Sequence, residues 1–364
     1  MTKSPVIVVG RGLAGLTTAM CLARRKIPVK VFYDSEDQNA ATPATHGICT
    51  IKGILESDTE RFDLQQRGHR GFEPWLREWE VFLNRSRPKD SWLSGVREVF
   101  PSMDDFRSEF GRIYRKDFLG AKNVVVTTEK VPAFAEAYYP GDFWIDPGYL
   151  IKTYQEACIK LGVSFEDFRV GSLKADGDSL RVIGTDGKSN LTSAAVLCAG
   201  YGLAPILADL GRPSGEMFAV AGYTFKSRVE HPDSCFVKKK TGIAFKNGVV
   251  HFGSTSDKST KIGGDSSSLR WRSTDEEEAL GKTTFLETAR DISKGLIASE
   301  LSTLEVRWGV RVRTRERMPL VKQIQETRNG GIWINTGYYK SGTILSWLIA
   351  EDLAAKIAAV VTGA

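Results

Sequence analysis

The sequence predicts an α/β protein in two parts, a parallel sheet flanked by helices and a smaller β-rich domain inserted into it. Three observations carry this expectation. A continuously apolar run, Val6-Ile7-Val8-Val9, leads into a glycine turn and a helix-forming segment over 16–25, and a second apolar run follows at 29–33. Similar runs that end in glycine recur at 194–200 and 331–337. Between those two, from 216 to about 307, short strands alternate with polar turns. Buried parallel strands read as uninterrupted apolar runs, whereas half-exposed antiparallel strands alternate.

The first turn is Gly10-Arg11-Gly12-Leu13-Ala14-Gly15. In a strand–turn–helix context the first glycine permits the tight turn, the second admits a pyrophosphate to the backbone, and the third lets the helix pack on the strand. The unsatisfied N–H groups and the positive end of the helix dipole then bind phosphate. The second run ends in Tyr33-Asp34-Ser35-Glu36, where an acidic side chain can accept hydrogen bonds from a ribose. Strand before, helix after and acid after the next strand together predict a dinucleotide site on a Rossmann-like domain.

Along the chain, 39–50 is a small, polar loop able to pass beside a cofactor. Residues 55–120 read as helical, with Trp75, Trp79, Phe82, Trp92, Phe100, Phe106 and Phe110 at spacings that suit a core. A strand of a different sheet is expected over 124–131, and Tyr138-Tyr139-Pro140-Gly141-Asp142 reads as a turn. Asp146-Pro147 starts a helix to about 161, with Asp as N-cap and Pro at the first helical position. Residues 163–165 return as a strand, and 170–191 read as two short strands with turns at 176–178 and 186–187. Strands follow over 218–226, 242–245 and 249–255, then a helix over 275–294 and a last helix over 343–361. The expected division is a discontinuous nucleotide-binding domain over 1–85, 146–215 and 306–364, with a second domain from 86–145 and 216–305.

The chain of 364 residues is long enough for two domains. No apolar stretch approaches the roughly 20 residues that span a bilayer, and the glycine turn interrupts the only N-terminal apolar run. The five cysteines are scattered, with neither a disulfide framework nor metal-ligand spacing, so no metal and a cytoplasmic location are expected. The net charge is +6, with basic residues gathered in Lys238-Lys239-Lys240 and in Arg307, Arg311, Arg313, Arg315 and Arg317. These form a solvated face or attract an acidic partner such as RNA.

The interrupted order and these motifs resemble the FAD-dependent D-amino acid oxidase/glycine oxidase superfamily over most of the chain. Thr45-His46-Gly47-Ile48 matches the family's small-residue loop beside the isoalloxazine, and Trp144-Ile145-Asp146-Pro147 its Val-Asp-Pro helix start. Val170 lies where the family holds adenine, and Leu197-Cys198-Ala199-Gly200 resembles its Leu-Ala-Ala-Gly strand end. Asp34 stands one residue beyond the usual ribose acid, as in D-amino acid oxidases themselves. Gly309-Val310-Arg311-Val312-Arg313-Thr314 is similar to the glycine oxidase Gly-Leu-Arg-Pro-x-Thr, so Arg311 matches the carboxylate-binding arginine. Thr336-Gly337-Tyr338-Tyr339-Lys340-Ser341-Gly342-Thr343-Ile344-Leu345 resembles the family's Thr-Gly-His-Phe-Arg-Asn-Gly-Ile-Leu-Leu, with Lys340 in the arginine's place.

The resemblance implies FAD at the glycine turn and along these segments. It also implies a small amine or amino-acid substrate at Arg311, Tyr339 and Lys340, and oxidation of a C–N bond by hydride transfer to flavin N5, with Arg311 and Lys340 as its catalytic residues. His46 packs beside the flavin or, as in some amine-oxidising relatives, carries it covalently. The family's substrate-facing tyrosine has no counterpart near 242–245. Thr314-Arg315-Glu316 and Phe218-Ala219-Val220-Ala221-Gly222 are closer to the FAD oxidase domain of the bifunctional tRNA wobble-uridine enzyme, whose substrate is a carboxymethylaminomethyl uridine. Two alternatives therefore stand beside the amine oxidase: an oxidase acting on tRNA, and a flavin-binding subunit without turnover.

Overall fold

The computed structural model describes residues 4–37, 40–50, 59–100, 102–114, 125–127, 135–212, 217–238, 241–253, 260–261, 275–292, 305–328 and 330–363. In chain order the first elements are β1 (Val6–Val9), α1 (Leu13–Arg24), β2 (Val29–Tyr33), β3 (Ile48–Cys49), α2 (Thr59–Phe82), β4 (Trp92–Phe100) and α3 (Met103–Tyr114). Then come β5 (Val125–Thr127), β6 (Ala135–Ile145), α4 (Pro147–Lys160), β7 (Ser164–Asp167), β8 (Val170–Asp176), β9 (Ser179–Gly184), β10 (Ser189–Thr192), β11 (Ala194–Leu197) and α5 (Leu203–Asp209). The rest is β12 (Met217–Arg228), β13 (Ser234–Lys238), β14 (Thr241–Lys246), β15 (Val249–Gly253), β16 (Thr260–Lys261), α6 (Asp275–Ile292), β17 (Glu305–Thr314), β18 (Leu320–Thr327), β19 (Gly330–Thr336) and α7 (Gly342–Thr362).

The nucleotide-binding sheet runs β18-β19-β11-β1-β2-β7, parallel except for β18. Every residue of β1, β11 and β19 is buried, as strands covered on both faces must be. One face carries α1, α2, α4 and α7. The other carries the β8–β9–β10 sheet, α5 and the near ends of β12 and β17. Asp146 caps α4 by accepting a hydrogen bond from the Tyr149 N–H at 2.8 Å, with Pro147 at the first helical position. A larger sheet runs β16-β12-β15-β14-β13-β4-β6-β3, with β17 on β12 and β5 on β6. The α/β class and the interrupted order are as expected, and 125–127 joins the larger sheet, separate from the nucleotide-binding one.

Several local expectations are corrected. Residues 92–100 are a strand: α2 stops at Phe82, a single 3-10 turn over Lys89–Ser91 follows Pro88, and the Trp92 ring stacks on Phe143 of β6 at 4.3 Å. The expected turn at 138–142 lies inside β6. Ser94 pairs with Phe143 and Val96 with Tyr139, so Pro140-Gly141-Asp142 bulges opposite the single residue Gly95. A proline without a donor and a glycine fit a bulge as well as a turn. Residues 170–191 hold three strands rather than two, and α5 had no expected counterpart. β17 pairs antiparallel along its length with β12, while its Val310 and Val312 pack in the core under the nucleotide-binding sheet. Its alternation of apolar and basic residues is that of a half-buried antiparallel strand. Trp75, Trp79, Phe100 and Phe106 are buried, as their spacing suggested, while the Phe110 side chain lies outside the described residues.

The tightest constraint is the third glycine. A Cβ on Gly15 would stand 1.8 Å from the Gly10 carbonyl oxygen. Gly15→Ala must therefore push α1 off β1, a strain of about 1–3 kcal/mol. The expected outcome is a melting temperature several degrees below wild type in a thermal scan, and an unchanged one would refute this packing.

Candidate active site

One cleft of ≈ 1430 Å³ runs from the ends of β2 and β8, past the N-terminus of α1, to β17 and the β19–α7 loop. Gly10 sits at its middle with φ +108, and a Cβ there would meet the Cys198 carbonyl oxygen at 2.5 Å. The glycine lets the end of β11 close on the turn. Gly12 is the α1 N-cap and supplies no side-chain cap. The Leu13 N–H instead donates to Thr42 Oγ1 at 3.2 Å, which seats the 40–46 loop over the helix end. Thr42 was not singled out in the sequence, and its only signal there was membership of a small, polar loop.

At the β2 end the Arg11 guanidinium lies over the Tyr33 ring, 3.9 Å from its centroid. Asp34 accepts from the Glu36 N–H at 3.0 Å and stands 3.5 Å from Arg169 Nε. Ser35 donates both its N–H, at 3.0 Å, and its hydroxyl to Asp167, whose carboxyl these hydrogen bonds hold below the usual carboxylate range. Val170, Gly171 and Thr185 line the same end, and Ala199 and Gly200 lie at the mouth of β11.

At the opposite end, β17 brings Gly309 and Arg311 to the wall. The Arg311 guanidinium is 5.5 Å from the Tyr339 ring centroid, and Lys340 Nζ is 5.7 Å from the same ring. Tyr339 has φ +52, a left-handed conformation uncommon outside glycine, and its N–H donates to the Val312 carbonyl at 2.9 Å. Arg313 lies over Phe218 instead, 4.3 Å from that ring, and Arg315 and Arg317 are exposed. Lys239 and Lys240 lie outside the described residues.

His46 lines the same cleft as Arg311 and Lys340. Its Nδ1 accepts the Ile48 N–H at 2.9 Å, which leaves the ring proton on Nε2, and its carbonyl accepts from Trp144 Nε1 at 2.8 Å. Burial, then the charges of Lys340, Arg311 and His251, depress its pKa from 6.5 to about 3. The amide donated into Nδ1 opposes protonation independently.

Of the residues singled out in the sequence, Gly10 to Ala14, Tyr33 to Ser35, Thr45, His46, Ile48, Val170, Ala199, Gly200, Gly309, Arg311, Gly337, Tyr339, Lys340, Gly342 and Thr343 line this one cleft. Four stand behind it. Gly15 packs on Gly10, and Gly47 sits where a Cβ would meet the Ile145 carbonyl oxygen at 2.0 Å. Ser341 turns its hydroxyl to Gln65, and Ile344 is in the core. No group of metal-ligating side chains occurs among the described residues.

The donor set suits an elongated dinucleotide. It offers a helix N-terminus without a side-chain cap, glycines whose Cβ positions other backbone already occupies, and an acidic strand end. Fold and cleft define a dinucleotide-binding protein. The chain belongs to the FAD-dependent oxidoreductase family (DAO), whose model matches residues 5–356. It is an enzyme of that family, with FAD as its cofactor.

Solved structures share the fold. An iminodiacetate oxidase from Chelativorans sp. BNC1 is 20% identical over 98% of this chain and 95% of its own, with a TM-score of 0.79. Glycine oxidase from Geobacillus kaustophilus is 19% identical over 98% and 95%, with a TM-score of 0.77. L-amino acid deaminase from Proteus vulgaris is 14% identical over 100% and 94%, with a TM-score of 0.73. No curated protein sequence matches the chain. Among the described residues no helix is long and apolar enough to cross a membrane.

The His46 pKa has a measurable consequence. The unfolded chain binds a proton near pH 6.5 that the folded chain refuses until about pH 3, so stability is lost as pH falls between those values. His251, depressed to about 4, acts with the same sign. In His46→Asn, which keeps an acceptor for the Ile48 amide, the slope of unfolding free energy against pH between 6 and 4 should fall by about one proton. Chemical denaturation across that range measures it, and an unchanged slope would mean that His46 titrates normally.

Proposed function

We propose that the enzyme oxidises a C–N bond in a small amino acid or secondary amine that carries a carboxylate. The observation that carries this reading is Arg311 on the cleft wall, with Arg311 and Lys340 both close to the Tyr339 ring. A guanidinium fork holds a carboxylate by two parallel hydrogen bonds and so fixes the direction of the neighbouring Cα–H. Lys340 adds a second positive charge to the same wall. His46 stays neutral at physiological pH, with Nε2–H available as a donor. When bound, FAD supplies the acceptor for the hydride that leaves the substrate carbon. An amine that enters deprotonated needs no general base, and none is assigned. The printed functions of the structural neighbours, oxidases and a deaminase of amino acids and related amines, support the substrate class. A cytoplasmic setting belongs to this reading, and five free, buried thiols support it.

Removing Arg311 tests the reading directly. Hydrogen bonds to charged groups contribute roughly 1.5–3 kcal/mol each, so Arg311→Ala should lower kcat/KM by about two orders of magnitude or more. FAD content, read from the visible spectrum, should hold. Arg311→Lys should recover little, since an ammonium lacks the planar fork. Arg313→Ala serves as the control, because Arg313 lies over Phe218. Glycine and sarcosine are the first substrates to try, and wild-type turnover by Arg311→Ala would discard the carboxylate assignment.

The competing reading places the same chemistry on tRNA. It requires measurable tRNA affinity at low salt, with each phosphate contact steepening the salt dependence by about 0.7–0.9. We expect no such affinity, and a salt-dependent tRNA complex would favour the RNA substrate.

A further inference from the structure

The β19–α7 loop, residues 337–341, carries Tyr339 and Lys340 and is held from two sides by buried polar groups. On the sheet side, the Tyr338 hydroxyl donates to Asn335 Oδ1 at 2.5 Å, and Asn335 Nδ2 donates to Thr18 Oγ1 of α1 at 3.0 Å. On the helix side stands α2, a segment in which the sequence offered no functional motif. Gln65 of α2 is 4% exposed, and its Nε2 donates to Ser341 Oγ at 2.8 Å.

Two features make this more than a chance contact. Ser341 is the N-cap residue of α7, yet its hydroxyl makes no cap bond. A serine there ordinarily accepts from an amide of the first turn. Here the hydroxyl accepts from Gln65 instead, so the rotamer of Ser341 is set by α2. The second feature is the fit of α2 on α7. Gly68 and Gly71 follow Gln65 at intervals of three on one helix face. A Cβ on Gly68 would stand 2.5 Å from the Ile344 carbonyl oxygen, and one on Gly71 would stand 2.5 Å from Trp347 Cζ2. Trp347 Nε1 donates to the Gly68 carbonyl at 3.1 Å. α2 is therefore locked in register on the first turns of α7, and Gln65 is delivered to the residue next to Lys340.

We infer that Gln65 is a positioning residue for the active-site loop, fixing Lys340 and the left-handed Tyr339 through Ser341. The inference rests on the reading above in that Lys340 and Tyr339 face the substrate. It accounts for how a strained tyrosine is kept in place, since φ +52 persists only where the surroundings over-determine it. The Tyr339 N–H to Val312 bond and the Ser341 N–H to Tyr338 bond, both 2.9 Å, are the local reporters of that conformation.

The test compares FAD-loaded wild type, Gln65→Leu, Ser341→Ala and the double variant. Amide exchange is followed across 337–343, and sodium acetate is titrated as a carboxylate probe read by flavin absorbance. Each single variant should speed exchange at Tyr339 and Ser341 about threefold to tenfold, the equivalent of one hydrogen bond. Acetate affinity should weaken by a similar factor. The double variant should be no worse than either single, because both remove the same bond. Wild-type exchange in both singles overturns the inference, and so does an additive double variant. If Gln65→Leu does not fold, Ser341→Ala alone decides: faster exchange supports the inference and wild-type exchange overturns it. Lys340→Met is run alongside. Unchanged acetate affinity in that variant would sink the assignment of Lys340, while the exchange data would still judge Gln65.

Discussion

The structure depends first on how closely α1 approaches β1 and β11. The Gly10 and Gly15 Cβ positions are already filled by backbone, the Cys198 carbonyl in one case and the Gly10 carbonyl in the other. That approach brings the first amides of α1 to the cleft, where the N-cap Gly12 offers them no side chain and Thr42 takes the Leu13 N–H. Everything else at the cofactor end, from the Thr42 loop over the helix end to the acidic end of β2, is arranged around it.

The second governing effect is the charge at the far end of the cleft. Arg311 and Lys340 both lie near one aromatic ring, and His46 lines the same cleft within electrostatic reach of them. An imidazolium there would lose its hydration and also meet two cations, so the ring stays neutral. Burial is the larger cause of the low His46 pKa, and the two cations act in the same direction. The neutral tautomer is fixed by the Ile48 amide, so His46 presents a donor rather than a lone pair.

Much of the cofactor end was legible in the sequence. The glycine turn, the apolar strands before and after it, and Asp34 at the end of β2 are local patterns with local causes. Arg311 was legible only through its motif, because the five arginines between 307 and 317 are alike in composition. Their surroundings separate them: Arg311 reaches the cleft, Arg313 lies over Phe218, and Arg307 pairs with Glu305. Strand pairing was the weak point. β4 and the bulged β6 depend on stacking between Trp92 and Phe143, 51 positions apart in sequence, which no periodicity within either segment reveals.

By itself the sequence determined the α/β class, the dinucleotide turn and the interrupted order of the chain. Those follow from propensities and spacings that act over a few residues at a time. Only the tertiary structure decided that β17 belongs to the larger sheet, that two cations approach the Tyr339 ring, and that α2 supports the loop beside them. Gln65 and Ser341 are 276 residues apart, and a bond of that kind exists only after two helices have packed. The geometry of the glycine turn is local and could be read in advance, whereas the geometry of the Arg311 wall comes from long-range packing.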